Sequence, residues 1–224
     1  VAAINTTDIA ALTTVQLGGL SSSQVGSLTT TQVNALANTV VASLTLGQVS
    51  GLTAAQVAGL TTTKFGALSS SQLGAFADTQ IAAISTTDLA ALTTLQLGGL
   101  AVTQVGVLTT VQVATLSATV VASLTTLQIG GLTVQQVGAL TTTQVNAFSN
   151  TGIAGLSSVQ VGGLTTTQVA NLSTTKFGAL TSAELGFLSA AQVAAISTTD
   201  IAALSTVQLG GLSSSQVGSL TTTQ

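Results

Sequence analysis

The chain repeats itself every eight residues, and the frame never slips across its 224 residues. Cutting after Leu12, Leu20 and Leu28 gives NTTDIAAL, TTVQLGGL, SSSQVGSL and so on, with position 1 at the Ser/Thr. Position 8 is Leu in 23 of 28 octads, the others being Ile4, Phe76, Ile84, Phe148 and Ile196. Position 5, from Val1 to Val217, is always Val, Ile, Leu or Phe. Position 1 is Ser or Thr in 24 octads and position 4 is Gln in 19. Positions 6 and 7 are mostly Gly, Ala or Ser.

A period of eight rules out long elements. At about 100° per residue, each octad drifts by about 80° around a helix, so Val and Leu never make a stripe. In a strand, positions 5 and 8 point to opposite faces. A short helix per octad satisfies three local signals together. Ser/Thr at position 1 is a favoured N-cap, and Gln three residues later completes a capping box, as in Thr29–Gln32 and Thr141–Gln144. The Leu before the cap and the Val at position 5 form the hydrophobic staple. Val and the next Leu lie three apart on one helical face. Each octad is therefore read as a capped helix of about six residues and a tight corner.

One octad cannot bury enough surface to fold alone, so the repeats must stack. The expected architecture is an all-α solenoid whose apolar spine is exemplified by Leu12, Leu20, Val25, Leu28, Val33 and Leu36. A second period suggests the coil size. Extra apolar residues at position 3 (Val15, Leu95, Val111, Leu127, Val159, Val207) all fall in even octads, as do the Gly-Gly pairs at 18-19, 98-99, 130-131, 162-163 and 210-211. This predicts a 16-residue coil of two helices whose even side packs tightly against something. The alternative is a β-solenoid with the same 16-residue coil. Octads with Ala at position 1 (Ala37, Ala77, Ala101), or with Val40, Val120 or Gly152 at position 4, lose part of the box and are expected to fray. Lys64 and Lys176 at position 4 oppose the helix dipole and, each followed by Phe, read as one sequence quirk copied fourteen octads on.

Composition narrows function. The chain has no His, Cys, Met, Trp, Tyr, Arg or Pro, and only two Lys and five acidic residues. Imidazole bases, thiolates and Cys/His zinc sites are excluded. The acids Asp8, Asp78, Asp88, Glu184 and Asp200 lie far apart and lack the density of calcium-binding repeats. Two cations cannot hold nucleic acid. The expectation is a protein that is not an enzyme and uses no cofactor or metal. Mean hydropathy is high, +0.70, yet Gln, Thr or Ser breaks every apolar run, so no transmembrane segment is expected.

Residues 193–224 repeat residues 1–32 with two changes, Asn5 to Ser197 and Thr13 to Ser205. We expect residues 1–224 to form one uninterrupted array, a stretch of something longer. Strings such as LTTTQVNAL (28–36) and LTTTQVNAF (140–148) resemble the low-complexity arrays of very large secreted bacterial adhesin-like and surface-filament proteins. The resemblance implies an extracellular or cell-surface structural role: a fibre, sheath or adhesin stalk associating with itself end to end and laterally. The alternative is a binding module in which the Thr-rich face meets ice or a surface glycan.

Overall fold

The computed structural model describes residues 4–224; Val1, which opens the position-5 series, lies outside them. The described residues hold 27 short helices, from Thr6–Ala10 to Ser214–Val217, and no strand. The all-α solenoid is therefore the architecture, and the β alternative is set aside. By its contacts the chain forms two compact units, one ending at Leu116 and one beginning at Ser117, each built in the same way.

Most octads start their helices through the same chemistry. At Thr29 the backbone is extended (φ −73°, ψ 157°), Thr29 Oγ1 accepts from Gln32 N at 3.1 Å, and Gln32 Oε1 accepts from Thr29 N at 2.7 Å. Thr141 and Gln144 repeat this at 3.1 and 2.7 Å. The helices run four to six residues and close with a short turn, as where Leu28 N donates to Val25 O at 3.1 Å. No residue among those described has a positive φ. The glycines are therefore not needed for left-handed corners.

The 16-residue coil is corrected by the packing. Each helix rests on the helix three octads away, so one coil is three octads and three helices. In the first unit Ser22–Gly26 packs on Leu46–Ser50, which packs on Ser70–Gly74, which packs on Thr94–Leu97. In the second, Val134–Ala139, Ser158–Gly162, Ser182–Gly186 and Thr206–Leu209 stack likewise. The reason lies in the corner. Two helices per coil would require the chain to reverse at every corner, whereas three need only turn part of the way. The even-octad markers recur at lags of ten and fourteen octads. Neither lag is a whole number of three-octad coils, so duplication carried the markers from one side of the coil to another.

Position 5 and position 8 side chains fill the interior. Val25, Leu28, Val33 and Leu36 are buried, while Leu12 and Leu20 are half-buried because the first coil is covered on one side only. The apolar residues at position 3 do not pack. Val15, Leu95, Leu127 and Val207 are 84%, 75%, 76% and 72% exposed, because position 3 of a helix of this length points away from both the spine and the stacked neighbour.

Glycine matters where stacked backbones meet. A Cβ on Gly26 would lie 2.4 Å from Gly51 O, and one on Gly99 would lie 2.1 Å from Ser70 O. The same approach recurs in the second unit, where a Cβ on Gly211 would lie 2.2 Å from Ser182 O.

Candidate functional site

The repeated polar feature is the amide column that runs from coil to coil. Gln at position 4 serves two bonds at once. Its Oε1 closes the capping box of its own helix. Its Nε2 reaches the preceding coil and donates to the carbonyl of position 8 there, and to that of position 5 or 6. Gln56 Nε2 donates to Leu28 O at 2.6 Å and Val25 O at 3.0 Å. Gln80 does so to Leu52 O at 2.6 Å and Val49 O at 3.0 Å, and Gln168 to Leu140 O at 2.6 Å and Val137 O at 2.9 Å. Gln32 makes the tie to Ile4 O at 2.6 Å. These amides are buried, so each Gln satisfies backbone groups that otherwise have no water to turn to. The helix dipoles of such short segments add little beside these direct bonds.

The departures from Gln explain themselves in place. Lys64 stands at the same column position and sends its ammonium to the preceding coil, onto Leu36 O and onto Asn38 Oδ1 at 2.8 Å. Lys176 makes the matching bond to Asn150 Oδ1 at 2.9 Å. Both lysines therefore perform an interlayer tie, with the charge led away from their own helix N-terminus. Sequence reasoning missed this, although Asn38 and Asn150 stand at the same interval ahead of their lysines and could have revealed it.

A different Asn braces the corners that lie one coil before Asp88 and Asp200. Asn34 Nδ2 donates to Gly59 O at 2.7 Å, and Asn34 Oδ1 accepts from Thr61 N at 2.9 Å. Asn146 holds Asn171 O and Ser173 N in the same way, each at 2.8 Å.

The octads expected to fray keep their helices. Asn38–Ala42 forms behind Ala37, and Ala118–Ala122 forms with Val120 N capped by Ser117 Oγ at 3.2 Å. Gly152 N is capped by Ser149 Oγ at 2.9 Å. Ala77 and Ala101 retain the return bond, each at 2.7 Å to the Gln three residues on. Stacking supplies what the cap lacks. At Ala101 only the side-chain acceptor is missing, so Ala101→Ser is expected to stabilise the protein by about 0.5–1 kcal/mol. A shift of the urea midpoint to higher concentration checks it; an unchanged midpoint refutes it.

Because the position-1 hydroxyls serve as caps, the hydroxyls left to solvent are those of positions 2 and 3. The described residues enclose no pocket and bring no three metal-ligating side chains together, and none of their helices is long and apolar enough to cross a membrane.

No curated protein matches the chain. Residues 1–38, 81–118, 142–174 and 193–224 match the family model described as the ALTTAQ repeat. These stretches cover more than half of a sequence whose octad frame is continuous, and the chain belongs to the ALTTAQ repeat family.

Proposed function

We propose that this repeat protein is a passive structural element, a stretch of extracellular fibre, sheath or adhesin stalk that extends by coil-on-coil stacking. The observation that carries this reading is what the outermost coils leave uncovered. Position-5 residues of the first coil, Ile9, Leu17 and Val25, are no more than 1% exposed, whereas Leu209 and Val217 in the last are 41% and 51% exposed. Position 5 thus packs towards the coil that follows, and is left open where no coil covers it. Gln16 and Gln24 are exposed in the first coil, while the position-4 Gln of later coils are buried or half-buried. Each coil thus offers spine residues and carbonyls to the coil that follows and amide donors to the coil before it. Because residues 193–224 repeat residues 1–32, the face the last coil offers to a newcomer matches the face the first coil offers to its own second coil. A further stretch of chain or a second copy would be bound by the same contacts.

The scarcity of charge and the lack of oxidisable Cys and Met suit a polymer exposed outside the cell. The likeness of its octads to arrays in large secreted bacterial proteins supports that location. Light scattering and negative-stain images of the purified chain test the stacking. Growth into filaments with rising concentration is expected, and L209K/V217K is expected to stop it while leaving the helical circular dichroism intact. Discrete particles at every concentration overturn the reading. Antibody labelling of intact source cells tests the location, and label found only after the cells are broken overturns it.

A further inference from the structure

We propose that Asp88 and Asp200 each hold a monovalent cation between coils, in the place where the other columns use the glutamine amide. Among the described residues, the buried side-chain polar atoms without a partner are the Oδ1 of Asp88 and the Oδ1 of Asp200. Both residues are almost wholly buried, at 1% and 2% relative exposure. In each, the other oxygen is taken: Ser85 Oγ donates to Asp88 Oδ2 and Ser197 Oγ to Asp200 Oδ2, both at 2.7 Å.

The column register says what lies opposite. By the pattern of the other ties, a Gln in place of Asp88 would donate to the carbonyls of Leu60 and Val57. For Asp200 the matching carbonyls are those of Leu172 and Val169. Aspartate is one methylene shorter than glutamine and, when ionised, only accepts. By that register a buried carboxylate oxygen without a partner faces the side of the preceding coil whose carbonyls would receive the amide, and all of these groups are acceptors. Charge left there without a counter-charge is costly, and a bound cation relieves it.

Two features make the corner a prepared one. Leu60 is bracketed by the Asn34 bonds to Gly59 O and Thr61 N, and Leu172 by the Asn146 bonds to Asn171 O and Ser173 N. Asn occurs at position 6 in these two octads alone, so the brace stands where the amide tie is lost. The chain also shows that such a corner accepts a single positive charge. One coil earlier in the same column, the Lys64 ammonium sits on Leu36 O, the counterpart of Leu60 O. Its charge is directed to that earlier coil and to Asn38, so it does not serve Asp88. One carboxylate with carbonyls matches a single positive charge better than a divalent ion, which draws on more carboxylates.

The test is thermal unfolding of the whole chain in potassium, sodium or N-methylglucamine chloride at equal ionic strength. Potassium or sodium is expected to raise the Tm by about 2 °C or more over N-methylglucamine, by mass action on the folded state. In D88Q/D200Q, where an amide replaces the ion at both corners, that difference is expected to vanish. Equal Tm values for the unaltered chain in all three salts overturn the proposal, and so does a cation effect of the same size in D88Q/D200Q.

Discussion

Gln80→Leu is expected to destabilise the coil stack by roughly 2–5 kcal/mol, although it replaces a polar side chain by an apolar one of similar size in a buried place. The sign follows from what Gln80 serves. Its Oε1 accepts from Ala77 N at 2.7 Å, and its Nε2 donates to Leu52 O at 2.6 Å and Val49 O at 3.0 Å. Val49 O keeps a second donor, Leu52 N at 3.1 Å. Leucine thus orphans two backbone groups, Ala77 N–H and Leu52 C=O, each worth about 1–3 kcal/mol when buried unpaired. Gln24→Leu is the control. Gln24 is exposed and keeps only its own capping-box bonds, so its loss is expected to stay near ~1 kcal/mol. Hydrogen exchange reads both effects locally, which suits an array whose repeats need not unfold together. Equal losses in the two variants would refute the interlayer role of the amide.

Gly99→Ala is expected to be nearly as damaging, at roughly 3 kcal/mol, the upper end of what an extra methyl costs in packed structure. The new Cβ would stand 2.1 Å from Ser70 O, 2.5 Å from Ser70 C and 2.8 Å from Ser70 Cα. These are backbone atoms of the helix Ser70–Gly74, so relief requires the coils to part. Gly66→Ala should do the opposite. Gly66 closes the helix Thr62–Gly66, and nothing lies within 4 Å of its added Cβ. Alanine there gains helix propensity and is expected to stabilise by about 0.5–1 kcal/mol. Denaturant melts of the pair decide the matter, because a loss of this size at Gly99 cannot come from helix propensity: Gly99 lies beyond the helix Thr94–Leu97. Matching signs would show that the close approach at Gly99 is not a constraint.

The local structure was legible because its causes are local. Thr29 and Gln32 lie within one turn of each other, and their spacing specifies both bonds of the box. Coil size was not, because the same Gln in nearly every octad fits any coil that is a multiple of eight. Only the departures carry that information. Lys64 with Asp88 and Lys176 with Asp200 stand three octads apart, and the Asn38–Lys64 and Asn150–Lys176 pairs span only slightly more. The even-octad Gly-Gly and Val/Leu markers are more numerous, but their lags reflect how the chain was copied. The repeat of residues 1–32 at 193–224 settles nothing either, since its lag is twelve two-octad coils or eight three-octad ones. Val15 and Leu127 belong to the even-octad pattern that, with the Gly-Gly pairs, predicts a tightly packed side. Their exposure follows from the direction of position 3, which depends on a neighbour that the octad does not name.

The amide column also gives the molecule a direction in time. In each tie the donor is the later residue and the carbonyl the earlier, by 28 to 31 positions. As the chain emerges from its N-terminus, every new glutamine meets acceptors already set in a finished coil. The loop that must close is the same length at the tenth octad as at the thousandth, so the entropy of closure does not grow with the array. Such a protein can lengthen without folding more slowly, each coil serving as the template for the next.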